Sequence, residues 1–133
     1  MTIYALSTVQ GQSGVAIIRV SGPLAEEAIF KLTHKKLKPR MATLCKILNS
    51  KKEVLDEAVV IFFEEKRSFT GQSVAEFQTH GGEAIIRSVL RELSLVKGLR
   101  PAEPGEFTKQ AYLSGKINLV QAEGLGDLIS AQT

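Results

Sequence analysis

SVAEFQTHGGEAIIRSVLRELSLVKG, residues 73–98, holds a strand signal, a glycine pair and a helix signal in succession. From Ser73 to Gln78, Val74, Glu76 and Gln78 alternate with Ala75 and Phe77, the period of two that puts successive side chains on opposite faces of a strand. One of those faces is partly polar, and Glu76 sits mid-strand on it. Beyond Gly81-Gly82 the period changes. Ile85, Ile86, Val89, Leu90, Leu93 and Val96 recur at helical spacing, and Lys97 and Gly98 fall in the C-terminal capping positions. A strand feeding an amphipathic helix implies a sheet with helices packed on it.

The flanking sequence extends this pattern. Ile3 to Ser7 and Val15 to Val20 read as short strands joined by VQGQSG, where Gly11 and Gly14 supply the freedom a tight hairpin connection needs. After Pro23, Leu24, Ala28, Ile29 and Leu32 predict a helix from about Leu24 to Thr33. Ala42 to Leu48 and Val54 to Phe63 read as adjacent antiparallel strands about the turn Asn49-Ser50-Lys51-Lys52. Leu99 to Pro101 adds a possible short strand. A helix is expected from Pro104 to about Leu113, ending near Gly115, and another is capped by Asn118 with Gln121 as its capping-box partner. The apolar face of this last helix, Leu119, Ala122, Leu125, Leu128 and Ile129, finds no obvious partner in the remaining sequence. The predicted class is α+β, with a small mixed sheet of about five strands packed with helices.

The sequence is 133 residues long and 44% hydrophobic, enough for one ordinary core. Its net charge of +3 comes from 17 basic and 14 acidic residues interspersed, so no strong one-signed field is implied. Lys35, Lys36, Lys38 and Arg40, followed by Lys46, Lys51 and Lys52, are read as solvated loop charge. The single cysteine, Cys45, lies in an alternating apolar run and is read as a buried structural thiol in a reducing compartment. No signal peptide is seen, and no run approaches the ~20 apolar residues of a membrane span. A soluble, cytoplasmic protein is expected.

Several kinds of chemistry have no residues to carry them. No GxxxxGK[ST] loop occurs, so these 133 residues hold no P-loop for a nucleoside triphosphate. His34, His80 and Cys45 lack metal-ligand spacing, and no metal site or catalytic residue is assigned. Two short glycine segments, Gly11-Gln12-Ser13-Gly14 and His80-Gly81-Gly82, read either as tight turns or as anion-binding backbone, the second at a helix N-terminus. Arg19 stands out inside the apolar run Val15 to Val20. A cation in a core strand needs a partner, and Glu76 is the natural candidate. An ion pair and a ligand site remain open as explanations for the two.

Three motifs, GVAIIRVSGP (residues 14–23), FTGQSVAEFQTHGG (69–82) and PGEFTKQAYLSGKINLVQAE (104–123), together resemble the N-terminal domain of the MnmE (TrmE) family of tRNA-modification GTPases. The resemblance implies a fold similar to the tetrahydrofolate-binding part of glycine-cleavage T-protein. It also implies a domain that binds 5-formyl- or 5,10-methylene-tetrahydrofolate and mediates homodimerisation. The family's folate-contacting positions carry over to Arg19, Glu76 and Lys116. Residues 1–117 would be this domain and 118–133 the start of a helical domain. Binding of GTP, Mg and K and GTP hydrolysis would belong to a GTPase domain absent from these residues. An FAD-containing MnmG-type partner and tRNA, modified at the wobble uridine, are implied for the full-length protein. Gln12 and Glu103 stand where the family has arginines, removing positive charge. Two other readings compete: a stand-alone one-carbon (aminomethyl) transferase, and an RNA- or protein-interaction module without folate. The second lacks an aromatic stripe, since the sequence has six Phe, two Tyr and no Trp.

Overall fold

The structure, a computed structural model, describes residues 1–8 and 14–131, the side chains of 126–131 excepted. Its elements are β1 (Thr2–Leu6), β2 (Val15–Ser21), α1 (Ala25–Thr33), β3 (Thr43–Leu48), β4 (Val54–Phe63), β5 (Val74–His80), α2 (Glu83–Ser94), β6 (Leu99–Pro101), α3 (Glu106–Leu113) and α4 (Leu119–Ala131). The six strands form one sheet in the order β3-β4-β5-β2-β1-β6. All pairings are antiparallel except β1 with β6, so the mixed α+β class holds, with a sixth strand completing the sheet. The first two strands pair as expected, with Ile3 opposite Ser21 and Leu6 opposite Ile18. The residues Gly11, Gln12 and Ser13 of their connection lie outside the described residues, as do the side chains of Leu128 and Ile129.

Alternation along the strands gives the sheet two unlike faces. Ile18 and Val20 of β2, Ala75 and Phe77 of β5, Val60 of β4 and Ile47 of β3 are fully buried on one of them. There they join Ala28, Ile29 and Leu32 of α1 and Ile86, Val89 and Leu93 of α2 in the main core. The two helices cover this face because their apolar stripes match the strands' inward residues. Cys45 belongs to the same core, and burial pushes its thiol pKa up against the opposing influence of Lys35.

The other face is covered piecemeal. Ile3, Ser21 and Val74 share one cross-strand row there. Ser21 Oγ donates to Gln110 Oε1 of α3 at 2.5 Å and is bonded to Thr70 Oγ1 at 2.6 Å, which ties α3 and the 64–73 connection to β2. Ser114 Oγ in turn donates to the Thr70 carbonyl at 2.6 Å. Gly71 permits this closure. It sits at φ +79, and a Cβ there would strike the Ser114 side chain.

Two helix starts differ from their predicted positions. The residues Pro104-Gly105 remain in a turn and α3 begins at Glu106, because the Glu106 carboxylate accepts the Glu103 N–H at 2.8 Å and is clasped by Arg100. Similarly α1 begins at Ala25, one residue after Leu24, whose N–H donates to Thr2 Oγ1 at 3.0 Å. The Asn118 cap forms as the sequence predicts: the Gln121 N–H donates to Asn118 Oδ1 at 2.8 Å and the Asn118 N–H to Gln121 Oε1 at 2.9 Å. Among the described residues no helix is long and apolar enough to cross a membrane.

Candidate functional site

Arg19 and Glu76 are direct cross-strand partners in the β2–β5 register. Adjacent antiparallel strands bring such side chains close on one face, and Arg19 Nη2 lies 3.6 Å from Glu76 Oε2. The pair sits on the face opposite the main core, with 22% and 19% of the respective side chains exposed. The expectation of a cation buried in a core strand is thus corrected: the strand is central, but Arg19 is on the face that α3 and a loop only partly cover.

Two aromatic rings enclose the guanidinium. Its central carbon is 5.6 Å from the ring centre of Phe69 and 5.5 Å from that of Phe107. Distances below about 6 Å are those of cation–π contacts. Phe69 comes from the connection before β5 and Phe107 from the first turn of α3. Neither residue was singled out from sequence, since each is an isolated Phe in a polar segment and nothing periodic marks it. The motifs FTGQS and PGEF were the only available signals.

The hydrogen-bonding capacity of this pair is left largely unused. Arg19 Nε is buried without a hydrogen-bond partner among the described residues. The separation from Glu76 allows an ionic attraction but exceeds the length of a charge-assisted hydrogen bond. Among the described residues the Glu76 carboxylate accepts no hydrogen bond. A buried donor and a partly exposed acceptor, side by side, suit a planar ligand that offers both an acceptor and N–H donors.

Lys116 follows the turn at Gly115, beyond α3. Its Nζ donates to the Lys66 carbonyl at 3.2 Å, and its stem passes Gly71. Lys116 therefore borders the 64–73 connection that carries Phe69, and among the described residues no hydrogen bond or ion pair joins it to Arg19 or Glu76.

Helix α3 is aimed by a clasp. Arg100 Nη1 donates to Glu106 Oε1 at 2.8 Å, and Arg100 Nη2 bonds Glu106 Oε2, a bidentate geometry. The hydrogen bond from Arg100 holds the Glu106 carboxyl below its ordinary pKa, and the same bond raises that of Arg100. Because Glu106 precedes Phe107, the clasp fixes where that ring meets Arg19.

Elsewhere, Asp56 of β4 accepts the His80 backbone N–H at 2.9 Å and holds His80 Nδ1 at 2.7 Å. Strand β5 runs two residues past its predicted end, to His80, which pairs with Val15 of β2. His80-Gly81-Gly82 does join a strand to a helix N-terminus, with Gly82 as the cap residue of α2. Cys45 points into the main core, on the face away from Arg19, and takes no part in the site. No group of three or more His, Cys, Asp or Glu side chains that could hold a metal occurs among the described residues.

Residues 2–116 match the family model described as the GTP-binding protein TrmE N-terminus. A mitochondrial 5-taurinomethyluridine-tRNA synthase subunit of Danio rerio is 50% identical over 133 residues, covering 99% of this chain and 27% of that protein. The tRNA modification GTPase MnmE of Anaplasma phagocytophilum is 52% identical, covering 99% of this chain and 29% of its own length. That of Parvibaculum lavamentivorans is 48% identical, with 99% and 31% covered. The chain thus spans less than a third of the length of these relatives. With a matching family model over nearly all of its sheet and helices α1 to α3, the chain belongs to the family of TrmE N-terminal domains.

Proposed function

We propose that the domain holds a reduced folate, 5-formyl- or 5,10-methylene-tetrahydrofolate, at Arg19, Glu76 and Lys116, as the carbon-donor module of a tRNA-modification GTPase. One observation carries the reading: among the described residues, Arg19 is held between two aromatic rings with Nε unpartnered, beside a Glu76 carboxylate that accepts no hydrogen bond. These groups fit the ligand. A pterin edge presents a ring N–H and an amino group that one carboxylate accepts together. Arg19 matches the carbonyl and carboxylate groups of the same ligand, and Lys116 adds a second cation for the anionic tail. Phe69 and Phe107 keep Arg19 extended and shield it from water, so its charge acts at low local dielectric. The bound folate supplies the one-carbon unit. The residues of this chain bind and orient it.

The wider role is proposed from the relatives. Residues 118–133 begin a helical domain, GTP with Mg and K binds in a GTPase domain outside these residues, and the full-length protein acts in the cytoplasm on the wobble uridine of tRNA with an FAD-containing MnmG-type partner. Homodimerisation through this domain is supported by apolar exposure on the face that bears Glu76. Val15 is 51% and Leu44 59% exposed there, a pattern common at protein interfaces. Sedimentation equilibrium of the chain should give twice the monomer mass.

Calorimetric titration with a series of tetrahydrofolate derivatives tests the site. Saturable binding of one folate per chain, weakened in Glu76→Gln, is the expected result. A folded chain that binds none of the derivatives refutes the assignment.

A further inference from the structure

A groove of about 800 Å³ lies between α1, the end of α2 and the β3–β4 turn, lined by none of the folate-site residues. Its floor is apolar, with Leu32, Val96 and a 60% exposed Leu95. Its rim carries Lys31 of α1, His34 at the C-terminal cap of that helix, Lys52 from the turn and Lys97 from beyond α2. All four are exposed, and they come from three segments distant in sequence. None of the three lysines belongs to an ion pair among the described residues.

The turn that presents Lys52 is built rather than loose. Asn49 Oδ1 accepts the N–H groups of Lys51 and Glu53, both at 2.9 Å, and the Lys52 N–H donates to the Asn49 carbonyl at 2.9 Å. Glu92 of α2 accepts the Ser50 N–H at 3.1 Å. That bond locks the turn to α2 and fixes Lys52 relative to Lys97, while committing one of the two carboxylates in the groove. Glu27 and Glu92 together leave one of the three lysine charges unmatched. Lys31 and Lys97 also lie near helix C-termini, where cations are favoured, but Lys52 has no such local reason to be there.

We propose that this groove receives the phosphodiester backbone of a folded RNA, with phosphates at Lys31, Lys52 and Lys97. The inference rests on the reading of the chain as part of a tRNA-modifying protein. Charge complementarity favours a polyanion, since exposed Lys35, Lys36 and Lys51 continue the basic surface in sequence beside the rim. Lysine ammonium groups suit phosphates as point charges, and the exposed Phe30 ring beside Lys31, edge-on to His34, adds an aromatic surface at the rim. Each such contact releases counterions, so binding must weaken with salt.

The experiment is fluorescence anisotropy of an unmodified tRNA transcript with the chain at several KCl concentrations. Replacing Lys31, Lys52 and Lys97 together by Gln should weaken binding by on the order of tenfold or more and flatten the log–log salt slope by roughly two to three. The triple replacement Lys46→Gln, Arg87→Gln and Lys109→Gln removes the same formal charge elsewhere and should leave the slope close to wild type. Equal losses in both variants would mean diffuse charge attraction and overturn the proposal, as would unchanged binding in the first or no binding by wild type. Lysine acetylation footprinting of the wild-type chain gives a reading without substitution. Protection of Lys31, Lys52 and Lys97 by tRNA is expected; protection by polyglutamate but not by tRNA would overturn it in favour of an acidic protein partner. Folate titration of the first variant should be unchanged, which separates this site from the folate reading.

Discussion

Strands β2 and β5 offer two faces that differ in everything but their backbone. Toward α1 and α2, Ile18, Val20, Ala75 and Phe77 are 0% exposed and packed by both helices. Toward α3, Arg19 and Glu76 occupy the intervening positions, partly exposed, with a buried nitrogen left unbonded among the described residues. Continuous helix packing satisfies the first face completely. The second is closed by a loop, a short helix and two rings, and this incomplete cover leaves polar atoms free to meet a ligand. The proposed folate site lies where the packing of the fold is least finished.

The largest effect should come from the finished face. Phe77→Ala removes a fully buried ring and should cost about 3–5 kcal/mol in chemical denaturation; a loss below about 1 kcal/mol would erase the contrast between the faces. On the other face, Glu76→Gln should behave in the opposite way. The pair is separated by 3.6 Å and partly solvated, so stability should change by within about 1 kcal/mol. Folate affinity should fall by about 1.5–3 kcal/mol, because one charge-assisted contact is lost. A large stability loss with unchanged affinity would instead make Arg19 and Glu76 a purely structural pair. A smaller step is Phe107→Leu, which keeps an apolar cover but removes one ring from Arg19. Calorimetry should show folate binding weaker by about 0.5–1 kcal/mol, the scale of a cation–π contact.

The finished face was also the legible one. Period-two alternation identified β5, apolar β-rich runs bounded by turns identified β2 and β4, and helical spacing identified α1 and α2, because each pattern reports burial against a neighbour. The facing of Arg19 and Glu76 was readable as two charges in apolar strands that needed partners. Its aromatic enclosure was not, since Phe69 and Phe107 meet only through tertiary packing and leave no local pattern. The sixth strand was hard to see for a related reason: Leu99-Arg100-Pro101 has little strand character of its own and is ordered by parallel pairing with β1. Likewise, β5 reaches His80 through its pairing with Val15 of β2, while Asp56, also distant in sequence, accepts the His80 N–H.

The smallest expected effect distinguishes the faces by pH. Apolar packing at Phe77 carries no charge, so the stability difference between wild type and Phe77→Ala should be insensitive to pH. The Arg100–Glu106 clasp, which sets Phe107 against Arg19, must titrate. Glu106 has a pKa lowered from the ordinary 4.5, chiefly by its hydrogen bond from Arg100. A carboxyl whose folded pKa is depressed binds protons less readily when folded. Its contribution is therefore fully present above the unfolded value and disappears as pH falls through the folded one. Chemical denaturation should show a wild-type advantage over Glu106→Gln that stays level from about pH 7 to about pH 5.5, then shrinks below about pH 4.5. Since the amide side chain of that variant cannot titrate, the shrinkage belongs to the wild-type carboxylate. A difference that stays constant to pH ~3 would show that Arg100 and Glu106 contribute by shape alone, and the two faces would then differ in packing but not in electrostatics.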